Sequence, residues 1–173
     1  SDGAVDDALV ERAQRLGCDV LHPGETGAGV QLCLARACAR AGLAFIGPRE
    51  SHIAAMCDVD AVRQLMREAG VPLGELSAQA PRVHLPVLAD CRGQALALVE
   101  HELLAEGFAM APSERLTPEQ RAYLGQLAVQ GARSLGLVGL ATLSFSLAEN
   151  RLGFVGMRPG LTGYEGLAEV LTG

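Results

Sequence analysis

The chain has 173 residues, 49% of them hydrophobic and 20% charged, with a net charge of −6; it can bury a core as one compact domain or two small lobes, and it is no disordered tail. The acidic balance and the 3% aromatic content exclude a non-specific nucleic-acid surface and a base-stacking platform, and no apolar run reaches the length of a membrane span. All 14 basic residues are arginine and none is lysine, which excludes chemistry resting on a lysine point charge or a titratable amine of this chain.

In chain order, Val5–Leu16 carries apolar residues at helical spacing, with Asp6 and Asp7 favouring the helix N-terminus and Gly17 ending it. "CDVLH" (Cys18–His22) reads as a short buried strand. A glycine loop leads into the helix "VQLCLARACARAG", closed by Gly42 as its C-terminal cap. "LAFIG" (Leu43–Gly47) is a second buried strand, stopped by Pro48. Helices follow at Glu50–Cys57 and Asp58–Ala69, the second starting on an aspartate cap. Alternation of this kind predicts a parallel αβαβ lobe over residues 1–72. Residues 73–81, small and polar with prolines at the borders, read as a linker.

Residues 82–173 have a different rhythm. "RVHLPVLAD" and "QALALVEHE" are joined by "DCRG", a hairpin signal. A third strand-like run lies near Leu103–Met110. "TPEQ" then places Thr117 as N-cap, Pro118 at N1 and Gln120 at N3, a capping box that opens a helix to about Leu135. A second hairpin turns through Glu149–Asn150, and a short helix spans Gly163–Leu171. Antiparallel pairing with interspersed helices makes this part α+β.

Candidate sites are sparse. "HPGETGAG" (His22–Gly29) offers glycines between a strand and a helix N-terminus, as a phosphate cradle requires. Its spacing fits neither the P-loop nor the dinucleotide fingerprint, and Glu25 would oppose an anion, so it reads as turn chemistry. His84 and His101 fall close to diagonal on one predicted hairpin, flanked by Glu100 and Glu102, but no third or fourth metal ligand converges on them. Ser144 and Ser146 sit mid-strand without a paired base, and His52 belongs to the first turn of its helix. The five cysteines (Cys18, Cys33, Cys38, Cys57, Cys91) lack CxxC spacing and read as small buried hydrophobes. That usage suits a reducing, cytoplasmic compartment.

Together, "CDVLHPG", "LARACARAGLAFIGPRESHIAAM" and "VRQLMREAGVP" resemble the N-terminal domain of biotin carboxylases. "VHLPVLADCRGQALALVE", "LTPEQRAYLGQLAVQGARSLGLVGLATLSFSL" and "GFVGMRPGLTGYEGLAEVLTG" resemble the later ATP-grasp lobe, in family order. The resemblance implies an αβ lobe joined to an antiparallel ATP-grasp-like lobe, with the linker at 73–81 replacing the family's lid domain. It also implies degeneration. Val59 stands where the family has a nucleotide-binding lysine, and Ser144 and Gly156 where it has two metal-binding glutamates. Arg158 replaces an asparagine and Gly160 the catalytic arginine, while Thr162 and Tyr164 stand at a glutamine and at the glutamate that acts as base on bicarbonate. "LLAEGFAMAP" takes the place of a basic loop near the bicarbonate and phosphate sites. Biotin carboxylases also carry an earlier strand–helix stretch and continue past Thr172–Gly173, so the chain is either a segment of a longer polypeptide or a reduced relative.

Phosphoryl transfer rests on positioning and electrostatic stabilisation, and magnesium on carboxylate oxygens. The resemblance therefore implies a non-catalytic module with no catalytic, nucleotide-binding or metal-binding residue and no cofactor. Its expected role is structural or docking, beside other domains or subunits of a biotin-dependent carboxylase or a second copy of itself. One alternative is a regulatory module that reuses the emptied cleft for an anion such as an acyl-CoA, with Arg151 and Arg158 as support. The other is a half-site completed in trans by a second chain.

Overall fold

Local hydrogen bonds set the helix ends in this computed structural model, which describes residues 2–76, 80–104, 108–148, 151–160 and 162–172, without the side chains of residues 2–6, 165, 167, 168 and 172. Helix α1 spans Asp2–Arg15, strand β1 Val20–Leu21, α2 Ala28–Ala41 and β2 Ala44–Phe45; α3 and α4 follow at Glu50–Cys57 and Val59–Glu68. Gly42 closes α2 at φ 73°, in the left-handed region that glycine adopts without Cβ strain. Asp58 caps α4 by accepting from the Ala61 amide at 3.0 Å. The strands β1 and β2 are parallel but only two residues each, and Val20 and Ala44 are exposed. The expectation of two buried strands is corrected: a two-stranded sheet leaves these positions uncovered.

Strands β3 (Arg82–Ala89), β4 (Ala95–Ala97), β5 (His101–Leu103) and β6 (Ala109–Met110) precede α5 (Pro118–Leu135). Then come β7 (Gly139–Ala148), β8 (Arg151–Pro159) and α6 (Glu165–Thr172). The six-stranded sheet runs β6-β5-β3-β7-β8, with β4 also on β3. Its pairings are antiparallel. The capping box of α5 forms in both directions between Thr117 and Gln120. The "DCRG" turn is held by Asp90, whose Oδ1 accepts from the Arg92 and Gln94 amides at 2.8 Å. The second arm of that hairpin is two strands rather than one. Val87 pairs with Ala97, but His84 pairs with His101, so the register advances by one residue between β4 and β5. The second expected turn, Glu149–Asn150, lies outside the described residues, as do 105–107 within the third expected strand.

One face of the sheet packs Val83, Leu85, Val87, Leu143 and Phe145 against Leu124, Leu127 and Ala128 of α5. The same cluster takes in Met56, Val62 and Met66 from α3 and α4, so the first helices share the core of the later sheet. A smaller cluster joins Val10, Ala37, Cys38 and Leu43. Of the five cysteines only Cys38 is buried; Cys18, Cys57 and Cys91 are exposed and Cys33 is half-buried. The expected burial fails because Cys18 lies just past a helix end, Cys57 ends α3 and Cys91 sits in the hairpin turn.

Residues 72–74 lie alongside β8. The Phe154 amide donates to Pro72 O at 2.7 Å and the Gly74 amide to Phe154 O at 2.8 Å. Backbones meet closely there, since a Cβ on Gly153 would fall 2.5 Å from Gly74 Cα. Arg63 of α4 closes the seam, its guanidinium donating to Phe154 O and Gly74 O at 3.0 Å. Truncation in Arg63→Ala leaves these half-buried carbonyls without their charged donor. It is expected to cost about 2 kcal/mol in urea unfolding, with Arg63→Lys recovering only part because it lacks the forked donor.

Candidate functional site

A cleft of about 310 Å³ opens between α4 and β8. Val59, at the first position of α4, and Met56 and Val62 form its helical wall, while Ser144, Gly156 and Arg158 come from the paired strands β7 and β8. Four of the seven positions singled out in the sequence therefore meet here. The other three, Gly160, Thr162 and Tyr164, follow β8 and are not among its lining residues. Gly160 has φ 76° and packs on Gln31 of α2, whose Nε2 donates to Thr26 O at 2.9 Å and Pro159 O at 3.1 Å. Tyr164 lies over His101, ring centroids 5.2 Å apart.

Strand register builds a transverse row behind the cleft: His101, His84, Ser144 and Gly156 are successive partners across β5, β3, β7 and β8. His84 Nδ1 and Ser144 Oγ are 2.9 Å apart, and the His84 and His101 rings stack at 5.5 Å. The reading of Ser144 as a serine without a base is thus corrected, because its histidine comes from a strand 60 residues away in sequence. The pair does not assemble an acyl-transfer centre. Ser144 lies mid-strand between its ladder partners His84 and Gly156, beside a register irregularity at Phe145, and not on a turn or helix N-terminus that would present free amides. Burial, then the nearby His101, Arg158 and Arg82, lower the His84 pKa to about 4, and a base that weak is far from the range that serves proton transfer near neutrality.

The residues flanking His101 are committed elsewhere. Buried Glu100 accepts from Arg121 Nε at 2.5 Å, and buried Glu102 from Arg115 Nε at 2.7 Å and from Ser113 Oγ. These bonds fasten the start of α5 and the segment before it to β5. Among the described residues no three His, Cys, Asp or Glu side chains converge as a metal site. The His22–Gly29 loop is held by turn bonds, with His22 Nδ1 accepting from the Gly24 amide and Thr26 Oγ1 donating to Pro23 O, and Gln31 links its Thr26 carbonyl to the end of β8. Among the described residues, the cleft lining includes arginines and no carboxylate. A magnesium–nucleotide does not fit this donor set, since the cation requires oxygen ligands, most effectively carboxylates.

Steric demands do not explain the glycine in the cleft. A Cβ on Gly156 would meet nothing within 4 Å, whereas one on Gly160 would press 2.8 Å from Gln31 Nε2 at a positive φ. Gly156→Ala is expected to leave stability unchanged or raise it by up to about 1 kcal/mol, and Gly160→Ala to lower it by more than about 1 kcal/mol, in parallel denaturant curves. A second expectation concerns pH. The folded His84 pKa lies below its ordinary 6.5, so the unfolded chain binds that proton more readily. Stability from this group is complete above about pH 6.5 and is lost as pH falls toward 4, at a slope approaching about 1.4 kcal/mol per unit. The difference between the thermal-melt pH profiles of the native chain and His84→Asn should carry that slope.

Residues 68–173 match the family model described as carbamoyl-phosphate synthase L chain, ATP binding domain. A biotin carboxylase of Halalkalibacterium halodurans is 40% identical over 67 residues, which cover 39% of this chain and 15% of that protein. The mitochondrial methylcrotonoyl-CoA carboxylase subunit alpha of Dictyostelium discoideum is 23% identical, covering 95% of this chain and 34% of its own length. Among solved structures, the multifunctional pyruvate carboxylase of Rhizobium etli superposes with a TM-score of 0.86 at 22% identity, over 96% of this chain and 19% of that one. The biotin carboxylase domain of Hydrogenobacter thermophilus 2-oxoglutarate carboxylase gives 0.85 at 22% identity, over 97% and 54%. The chain spans well under two thirds of each of these proteins, and the two structures establish its fold. By the extent of the family match and the agreement of these relatives, the chain belongs to the carbamoyl-phosphate synthase L chain ATP-binding domain family, as a relative of the biotin carboxylases.

Proposed function

We propose that this chain is a catalytically inactive biotin-carboxylase-like module with a structural or docking role in a cytoplasmic biotin-dependent carboxylase assembly. The lining of the α4–β8 cleft carries the reading. Where the resemblance implies a lysine, two metal-binding glutamates and an asparagine, the cleft presents Val59, Ser144, Gly156 and Arg158. The chain has no lysine to substitute for the missing one. Loss of one charged group can be offset by a neighbour, but a site with no lysine and no carboxylate among its described lining residues lacks the metal framework that positions a polyphosphate for transfer.

The alignments with relatives support an absent lid. The match to the Dictyostelium protein runs over 239 positions yet uses 95% of this 173-residue chain, leaving about 75 positions filled by the relative alone. The 2-oxoglutarate carboxylase small subunit of Hydrogenobacter thermophilus aligns over 240 positions with the same 95%. A stretch of that size is a small lobe, consistent with residues 73–81 as a linker between 1–72 and 82–173. Multidomain relatives support the assembly context: the Rhizobium pyruvate carboxylase is described as multifunctional, and a long-chain acyl-CoA carboxylase 28% identical to this chain as single-chain and multi-domain. The partners would be other domains or subunits of such an assembly, or a second copy.

Calorimetric titration with Mg-ADP is expected to give no saturable heat, and micromolar binding would overturn the loss of the nucleotide site. Co-purification with the carboxyltransferase or biotin-carrier components of a carboxylase is the positive test of docking; failure to retain any of them would remove that role.

A further inference from the structure

The α4–β8 cleft combines two features that a purely structural remnant does not need. Val59 and Leu76, both lining it, are each about half exposed (49% and 54%), above a floor of buried Met56, Val62 and Met157. Arg158 projects from β8 into the same lining and makes no ion pair among the described residues. Arg82 supplies a second guanidinium to the lining and donates to Leu76 O at 3.4 Å. The cleft therefore has a cationic end and an apolar side, with no carboxylate among its described lining residues.

We propose that this cleft binds an aliphatic monocarboxylate, its head on Arg158 and its tail along Val59 and Leu76, over the cleft-facing edges of Met56 and Met157. Several observations select that class. A guanidinium is a planar fork that matches a carboxylate in bidentate geometry. The single charge of Arg158 balances a monoanion and falls far short of a polyphosphate. A volume of about 310 Å³ sits at the small end of ligand pockets, which suits a ligand with a short chain. Transfer of the tail out of water supplies the affinity, and the charged pair supplies the orientation. The site is independent of whether the module docks into a carboxylase.

The methionines provide the probe. Met56 and Met157 line the cleft, Met66 is fully buried in the main core, and Met110 lies on β6, outside the cleft lining. With the chain labelled at its methionine methyls, octanoate is expected to shift the Met56 and Met157 signals saturably while Met66 and Met110 stay in place. Arg158→Gln should weaken octanoate at least tenfold with the Met66 signal unmoved, which certifies the fold, and Arg158→Lys should fall between. Octanol and acetate, lacking the head or the tail, should each bind at least tenfold more weakly than octanoate. Absence of a saturable Met56 and Met157 shift, equal movement of all four methyls, or unchanged affinity in Arg158→Gln would overturn the site. Equal binding of octanol would overturn the role of the carboxylate, and equal binding of acetate that of the apolar wall.

Discussion

The architecture depends on the seam where residues 72–74 lie against β8. Two main-chain hydrogen bonds, the close approach of Gly74 to Gly153, and the Arg63 guanidinium spanning both segments fix α4 relative to the sheet. Only a residue without a Cβ permits that backbone separation. Once α4 is held there, Met56, Val62 and Met66 enter the same core as β3, β7 and α5. The cleft is the space left between the helix and the strand edge, so its shape follows from how the first helices are attached to the later sheet.

Electrostatics follow from the same geometry. Antiparallel pairing stacks His101, His84, Ser144 and Gly156 into one row, and burial keeps the imidazole of His84 neutral beside Arg158 and Arg82. A protonated His84 would add a third cation without a facing carboxylate. The neutral ring instead bonds to Ser144, satisfying two polar groups in a partly buried position. Glu100 and Glu102, which flank His101 in sequence, turn to Arg121 and Arg115 and tie α5 and the segment before it to the sheet. Among the described residues, the region thus separates into a carboxylate-bearing structural side at β5 and a cleft at β8 lined by arginines and apolar side chains.

The elements that were legible in advance rest on bonds between near neighbours. The α5 capping box links positions three apart, Asp58 caps α4 through Ala61, and Asp90 holds its own turn, so each is visible in a short window. Features that depend on distant pairing were not. The one-residue register change between β4 and β5 places His84 opposite His101 instead of diagonal to it, and no local pattern announces it. The Ser144–His84 bond spans 60 positions. Apolar sequence neighbours misled the reading of Cys18, Cys57 and Cys91, because a side chain's burial is set by what folds over it and not by what precedes it.

By itself the sequence determined the succession of helices and strand regions, the family resemblance, and the absence of lysine, all of which reside in residue identity and short spacing. Tertiary structure decided which positions meet. It gathered Val59, Ser144, Gly156 and Arg158 into one cleft and left Gly160, Thr162 and Tyr164 out of its lining. It also distinguished Gly156, which has open space around it, from Gly160, which does not. The physical reason is that identity and local propensity act over a few residues, whereas a site is formed by strand register and helix packing that join segments scores of residues apart.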